Sequence, residues 1–598
     1  MTNVRLAGAA AALGACVALS PTLSSPALAD VPKARIDGVS DDALRERLQT
    51  AVGVSADPPA SRFEARRRAR DAAEDAVKSL RSEGYYGYVV EPDVSDGESP
   101  EAVLRITPGP RFVFGDTAIA WQGEPPAAEA RTAALAVTGL ARGAPGRAET
   151  VVEAEGRTIA ALTARGYADA RVSPREVIVD HATTTVQPTY KLVAGPLVKL
   201  NGVQLGTVGR TDPEWIVSLA PWTPGEVYDP GDVAELERRL LDTGVYDSVT
   251  VSLAPPAQNT AEGLRPIIVS LADRPRRTLE IGAGYSSSEG VGVEAEYARY
   301  NQFGRADTLT LNTVLAQIER RLQAELSLPH FRQPGRTLRL GAEAFQDETN
   351  AYDETGLGIR ADIERRIGKT TYFNYGLRFD VSQTVEQGQE RNFAALTGLG
   401  GFSLDRSSDP LDPVNGWRIE SRVEPTVLTG DASLLFVRAN TQVSAYLPFG
   451  EEQQTVLAGR VRVGVIAGGE IPAVPAGRRF YAGGGGSVRG YEFQAIGPRY
   501  ADNTPQGGLS LLEGSLELRR RSFGDAGIRR ALGGVVFLDA GTVGEDEIPG
   551  TDELKAAVGF GVRYDLGFAP IRADLAFPLN KEDGESPFQI YLSIGQAF

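Results

Sequence analysis

From Pro275 to the C-terminus the sequence is written almost entirely in short alternating segments, and this texture limits what the chain can become. Val291, Val293, Ala295 and Tyr297 alternate with Gly292, Glu294, Glu296 and Ala298. Val558, Phe560, Val562 and Tyr564 alternate with Ala557, Gly559, Gly561 and Arg563, and Ile571, Ala573, Leu575 and Phe577 with Arg572, Asp574, Ala576 and Pro578. A period of two is the strand signature, since successive side chains point to opposite faces of a sheet. One face here is apolar and the other carries charge or glycine, the pattern of strands with lipid outside and a wet lumen inside. Beyond residue 30 no run of eighteen apolar residues occurs, which argues against a transmembrane helix in the mature chain. Some 320 residues at about 20 per strand and turn make roughly sixteen strands, an even number as bacterial barrels have. The expectation is an all-β, 16-stranded transmembrane β-barrel over residues 276–598, with a soluble sandwich or propeller as the competing reading.

The two ends of the chain weigh against the soluble alternative. Arg5 is a short positive region, Leu6 to Leu19 an apolar one, and Ala27-Leu28-Ala29 a small-residue cleavage site before Asp30, so residues 1–29 read as a signal peptide. Leu13-Gly14-Ala15-Cys16 offers a lipoprotein-type alternative, but the apolar run continues past Cys16. Cys16 is the single cysteine, so after cleavage at Ala29 disulfides and thiolate chemistry are excluded. At the other end, Phe588-Gln589-Ile590-Tyr591-Leu592-Ser593-Ile594-Gly595-Gln596-Ala597-Phe598 places apolar residues at alternate positions up to a terminal Phe, which resembles the β-signal that closes outer-membrane barrels. The net charge of −16 argues against a nucleic-acid partner.

Between these ends lies a repeat. At 598 residues the chain exceeds one ordinary core. Glu83-Gly84-Tyr85-Tyr86, Arg165-Gly166-Tyr167-Ala168 and Thr243-Gly244-Val245-Tyr246 each follow an amphipathic helical stretch, with the glycines 82 and 78 residues apart. Each glycine sits where a left-handed residue ends a helix. The units close alike, on Pro108-Gly109-Pro110, Gly195-Pro196 and Arg274-Pro275. A strand, two helices and two strands per unit make a small α+β module. The helix-Gly-aromatic-strand signature and the Gly-Pro exit resemble POTRA domains, expected at 30–109, 110–196 and 197–275; the third departs, with Val245 before its aromatic and Arg274-Pro275 for Gly-Pro. POTRA modules bind extended clients by offering a sheet edge, whose main-chain hydrogen bonds make few demands on sequence.

One glycine-rich stretch stands apart: Phe480-Tyr481-Ala482-Gly483-Gly484-Gly485-Gly486-Ser487-Val488-Arg489-Gly490-Tyr491. Four glycines let the backbone reach positive φ and pack closely, and they deliver Arg489 on a tip. A phosphate cradle is one reading, but neither a helix nor a P-loop lysine follows. Val488-Arg489-Gly490-Tyr491 resembles the VRGF/Y signature of the BamA/TamA superfamily. Asn301-Gln302-Phe303-Gly304, the Asp405-to-Pro413 turn ahead of Asn415-Gly416, Gly514-Ser515-Leu516-Glu517-Leu518-Arg519 and Phe537-Leu538-Asp539-Ala540-Gly541 match further motifs of that superfamily in order. The resemblance implies an outer-membrane factor that inserts autotransporters and other barrel proteins, with outer-membrane lipid around it and its modules in the periplasm. Three modules and a length near 600 residues are most similar to the TamA branch. That branch implies a TamB-like, inner-membrane-anchored periplasmic partner. A two-partner-type secretion pore for one dedicated exported protein is the alternative, although Asp30 to Ile36 leaves no room for its plug helix.

Strand parity narrows the site. If Leu512, Gly514, Leu516 and Leu518 face lipid, Glu513, Ser515, Glu517 and Arg519 face the lumen. By the same count Phe537, Asp539 and Gly541 face inward on the next strand. Glu517 and Asp539 are therefore the expected partners of Arg489, in a structural ion pair that sets the loop's position, since a guanidinium fork serves two carboxylates. The first strand, around Thr278 to Ser286 with Gly282 and Gly284, should meet the last, which carries Gly595 and ends on Phe598. Glycine weakens strand order, and the resemblance implies that this seam opens laterally; glycines without a gating role are the other reading.

Enzyme readings are poorer. Gly368-Lys369-Thr370 lacks the upstream glycine of a P-loop, Gly282-Ala283-Gly284 has no helix after it, and no G-x-S-x-G elbow appears. His181 and His330 are the only histidines and lie far apart, a poor basis for a metal site. Neither an enzymatic activity nor a cofactor is expected.

Overall fold

The computed structural model describes residues 31–594 apart from positions 98, 208, 288, 369, 451–453, 525–526, 552, 568–569 and 583. The signal-peptide segment 1–29 with Cys16, and Gly595 and Phe598 of the seam, lie outside the described residues.

Three α/β units precede the barrel and share one topology. In the first, Arg35–Asp37, helices Asp42–Val52 and Arg62–Ser82, and strands Val89–Val94 and Ala102–Thr107 follow in order. The last strand is central, parallel to the first and antiparallel to the one before it. The second unit repeats this with Ala118–Trp121, Thr185–Val193 and Arg171–Asp180, and the third with Lys199–Leu205, Leu264–Asp273 and Tyr246–Leu253. The region resembles POTRA domains in this architecture. Local chemistry sets the helix limits: Asp41 caps the first helix by accepting the N–H groups of Ala43 and Leu44, and Ser61 caps the second through Glu64. Ala65, Ala69, Ala72, Ala76 and Leu80 form the buried stripe of helix Arg62–Ser82, so small side chains let it lie close on the sheet. Gly84, Gly166 and Gly244 end the helices with φ of +90°, +89° and +71°.

Charged joints connect the units. Glu83 receives Arg111 (2.9 Å) and Arg147 (3.2 Å) from the second unit and Arg47 from the first. Arg265 of the third unit, 2% exposed, grips Asp169 of the second with two hydrogen bonds of 2.8 Å.

Sixteen antiparallel strands close the barrel, from Arg277–Ser286 to Gln589–Ile594. Apolar residues such as Ile359, Leu435 and Val291 stand exposed on the outer wall. Charges face inward, where Glu343 meets Arg321 (3.0 Å) and Arg378 (2.8 Å), and Arg339 meets Glu364 (2.7 Å).

The third unit is seated on one end of this barrel through the turns after the second and fourth strands. Asn301 adopts φ +53°, a left-handed conformation that Asn tolerates. Its amide donates to Thr211 Oγ1 (2.7 Å) while its Oδ1 accepts the Ala306 N–H (3.1 Å). Asp307 accepts the N–H groups of Gln302 (2.9 Å) and Phe303 (2.8 Å), and Gly304 O accepts that of Asp212 (2.8 Å). The Asn301-to-Gly304 motif thus builds the docking turn. His330 Nε2 adds a 2.8 Å hydrogen bond to Arg239 O, and Arg366 pairs with Asp242 at 2.8 Å.

Candidate functional site: the lumenal loop and its carboxylates

Between the eleventh strand, Thr455–Ala467, and the twelfth, Ser510–Arg520, the chain folds back into the barrel. Phe480 and Gly508 exchange two backbone hydrogen bonds of 2.9 Å, and Ile496 N–H donates to Ala482 O (3.0 Å), which shapes the segment. Of the four consecutive glycines, Gly483 and Gly484 take positive φ (+106° and +98°). A Cβ on Gly483 would sit 2.3 Å from Glu492 O, and one on Gly485 would sit 2.9 Å from the Tyr591 ring. The first pair of glycines is required by conformation; Gly485 is required by close approach.

Apolar burial carries the loop in. Val488, Tyr491, Phe480 and Ile496 join Leu511, Val543 and Ala557 of the wall in one buried cluster. The wall makes room for Val488, since a Cβ on Gly541 would lie 2.7 Å from it; Gly559 makes room for a neighbouring wall residue, its Cβ falling 2.2 Å from the Phe537 ring. Arg460 of the eleventh strand donates to the carbonyls of Gly486 (3.2 Å) and Ser487 (2.9 Å). The opposite side of the loop is tied down as well, by Arg478 on Asp380 and by buried Arg479 on Glu386 (Nη2–Oε2 3.0 Å), both carboxylates belonging to the seventh strand, Thr371–Glu386.

Arg489, 1% exposed, ends among three carboxylates. Its Nε is 2.7 Å from Asp539 Oδ2, its Nη2 2.9 Å from Asp539 Oδ1 and 2.7 Å from Glu517 Oε1, and its Nη1 3.2 Å from Asp574 Oδ2. The contact to Glu517 Oε1 is an ion pair without hydrogen-bond alignment; the contacts to Asp539 are aligned hydrogen bonds. The guanidinium lies 3.5 Å from the centre of the Phe537 ring, a cation–π arrangement. A second tier completes the balance: Arg519 Nε is 2.7 Å from Glu517 Oε2, Arg563 pairs with Asp574, and Ser515 Oγ donates to Asp539 (2.6 Å). Arg489, Arg519 and Arg563 pair with Glu517, Asp539 and Asp574, and buried Arg460 and Arg572 act on the same carboxylates from nearby. Full burial of charge is tolerable only with such pairing.

Arg489, delivered by the glycine-rich stretch, lies against Glu517 and Asp539, the two carboxylates that strand parity selects. Asp574, Arg519, Arg563 and Phe537 complete the group and were not part of that expectation. Val488 and Gly490 pack the loop on the wall, the latter at φ +99° and against Ala557. Tyr491 keeps a role for its hydroxyl, which lies 2.7 Å from Asn580 Oδ1 and 3.1 Å from Ala556 O. Tyr591, on the last strand, is a further residue missed from sequence: its hydroxyl accepts the Gly490 N–H (3.1 Å) and donates to Tyr491 O (3.3 Å). Its place on the lumenal parity of an otherwise alternating C-terminal strand was the available signal. His181 packs against Phe112 (5.1 Å between rings) and His330 lies in the docking turn, both away from the loop.

The seam joins the first and last strands. Among the described residues they pair at Tyr285–Leu592 and Ser286–Tyr591, followed by a hydrogen bond from Ser287 N–H to Ile590 O (3.0 Å). The first strand pairs with the second along its whole length, from Arg277–Arg299 to Ser286–Gly290. The described seam pairs lie at the end remote from the α/β units. Gly282 and Gly284 lie just beyond them; a Cβ on Gly282 would meet nothing within 4 Å.

Comparison with known proteins follows the same outline. The Omp85 superfamily domain matches residues 301–598. The chain is 22% identical over 544 residues to outer membrane protein assembly factor BamA of Neorickettsia risticii, covering 87% of this chain and 71% of that protein. It is 22% identical over 493 residues to BamA of Neisseria meningitidis serogroup B, covering 72% and 60%, and 26% identical over 414 residues to chloroplastic outer envelope protein 80 of Oryza sativa subsp. japonica, covering 62% and 58%. The chain thus spans less than two thirds of the length of the latter two. The crystal structure of BamA from Haemophilus ducreyi lacking POTRA domains 1-3 superposes with a TM-score of 0.66 at 19% identity, covering 81% of this chain and all of that one. The fold is shared.

Proposed function

Since the chain belongs to the Omp85 superfamily, we propose that it is an assembly factor of the outer membrane of a Gram-negative bacterium, with its three α/β units in the periplasm and its seam as a lateral gate. The observation that carries this reading is the seam. Its first strand carries Gly282 and Gly284 beside the described pairs Tyr285–Leu592 and Ser286–Tyr591, and glycine weakens strand order, so parting the two strands here would expose two edges. Unpaired strand edges are templates for another chain's backbone. A client strand adding there gains main-chain hydrogen bonds whatever its side chains, and the folding of the client supplies the free energy.

The units upstream offer edges of the same kind. In the second unit, strand Arg171–Asp180 is an edge with Val172, Val177 and Ile178 exposed. Such edges suit unfolded autotransporter and barrel precursors or a periplasmic partner. Three α/β units ahead of the barrel support the TamA branch, and with it a TamB-like partner. In this reading the Arg489 cluster does no chemistry. It holds the loop that gives the barrel its shape.

A disulfide between Tyr285→Cys and Leu592→Cys tests the gate, because these residues face each other across the seam. The oxidised protein is expected to lose client insertion and the reduced protein to regain it. Full insertion by the oxidised form would refute lateral opening. Cross-linking from strand Arg171–Asp180 then identifies the cargo: many barrel precursors support an assembly factor, one large secreted protein a dedicated secretion pore.

A further inference from the structure

Arg519, Arg520, Arg521, Arg529 and Arg530 fall within twelve residues of a chain whose net charge is −16. They surround the turn between the twelfth strand and the thirteenth, Leu532–Gly544. In an antiparallel barrel, turns after even-numbered strands share one end. The turns after the second and fourth strands hold the third α/β unit, so this arginine-rich turn lies on the same rim.

Its residues divide in a way that suits one ligand. Arg519 faces Glu517 and Arg521 faces Asp412 (3.0 Å), so their charges are matched. Arg520 stands on the outward side opposite Gly534 and donates to neutral oxygens, Ser522 O and Thr455 Oγ1, both at 3.0 Å. Arg529 and Arg530 are exposed beside it. Arg520, Arg521 and Arg530 line a cavity of about 380 Å³ whose other side holds Arg519, Arg563, Asp412 and Asp565. Directly adjoining is apolar wall. The Phe523 ring occupies the gap left by Gly534, where a Cβ would lie 2.8 Å from Cζ, and Phe523 is 57% exposed. Ile528, Val536, Val562 and Tyr564 extend this exposed apolar surface.

We propose that this rim binds the anionic headgroup of a phospholipid in the periplasmic leaflet of the outer membrane. Its phosphate would sit on Arg520, Arg529 and Arg530, and its acyl chain along Phe523 and Val536. An aromatic and a cluster of arginines at the edge of an apolar band match the level where chains meet headgroups. An acidic peptide would use the arginines but leave the apolar wall unexplained. The proposal rests on the barrel standing in an outer membrane and is independent of which clients it inserts.

The test uses the full chain in uncharged detergent micelles, titrated with phosphatidylglycerol or phosphatidylcholine and read by native mass spectrometry. Arg529→Gln/Arg530→Gln is expected to weaken phosphatidylglycerol binding roughly 30-fold, as removal of two surface charges does, and to leave phosphatidylcholine binding unchanged. Arg529→Lys/Arg530→Lys retains binding, and Phe523→Ser weakens both lipids. Unchanged phosphatidylglycerol binding in the glutamine variant, or equal losses for the two lipids, overturns the proposal. So does an octaglutamate peptide that binds with the same arginine dependence while phosphatidylglycerol shows no preference. Micelle binding does not involve client insertion, so a failed seam experiment leaves this result readable.

Discussion

Replacing Arg489 with alanine removes the guanidinium that touches three buried carboxylates at once. Asp539 then loses its two guanidinium hydrogen bonds, and Glu517 and Asp574 each lose one of their arginine partners. Loss of one member of a buried ion-pair group destabilises by about 3–5 kcal/mol. The stacking on Phe537 at 3.5 Å adds to what is lost, though not additively. Protonation of one carboxylate can relieve part of the imbalance, which places the expected loss toward the lower figure. The measurement is heat-modifiability on gels as a function of temperature, which reports the folded barrel. Arg489→Ala is expected to lower the transition temperature and to reduce client insertion, while limited proteolysis releases an intact, folded α/β region. Arg489→Lys, which keeps the charge but loses the planar fork, should fall between the two. A transition temperature and insertion activity both equal to those of the native protein would refute the argument that this cluster holds the barrel's shape.

The remaining predictions concern its neighbours. Asp574→Asn combined with Arg489→Gln in a double-mutant cycle should return a coupling of about 0.5–3 kcal/mol, and additive losses would remove Asp574 from the cluster. Tyr591→Phe leaves the buried Gly490 N–H without its acceptor, at a cost of about 1–3 kcal/mol, and should change the rate of disulfide formation between Tyr285→Cys and Leu592→Cys; an unchanged rate separates loop from seam. Burial holds His330 below its ordinary value of 6.5, against a smaller opposing effect of its hydrogen bond to Arg239 O. A depressed histidine stabilises the docked form above the unfolded value and loses that stability as pH falls through the folded one. Protection of segment 329–335 from hydrogen exchange, taken relative to the intrinsic rate at each pH, should therefore fall as pH drops from 7.5 to roughly 5.5, and His330→Gln should flatten the response; equal pH dependence in both proteins would exclude His330.

What could be read beforehand divides along the range of the interactions involved. Strand parity is local, so the inward direction of Glu517 and Asp539 follows from a period of two. Asp574 had the same inward parity in the segment from Ile571 to Pro578. Its meeting with Arg489 depends on where segment 468–509 settles, which the packing of Val488, Tyr491 and Phe480 on distant wall residues decides. The α/β units were legible because helix-ending glycines and amphipathic stretches are also local. The joint between Arg265 and Asp169, 96 positions apart, had no local signal. Asn301 to Gly304 could be matched to a motif, but its work as a docking turn requires Thr211 and Asp212, which the fold brings there. The four glycines looked equivalent in sequence; the structure gives Gly483 and Gly484 a conformational reason, Gly485 a steric one, and Gly486 open surroundings.

The two attachments of the lumenal loop have a mechanical consequence. Arg478 and Arg479 fasten it to Asp380 and Glu386 on the seventh strand, and Arg489 fastens it to the twelfth, thirteenth and fifteenth. The loop is therefore a strut across the bore, and its length fixes the separation of two opposing arcs of wall. A closed ring braced in this way can widen only where the brace has no hold. That place is the joint beside the second foot of the strut, where Tyr591 touches the loop and pairs with Ser286 of the first strand. Shortening or releasing the strut changes the circumference available to that joint, so the seam's width is a dependent dimension of the bore.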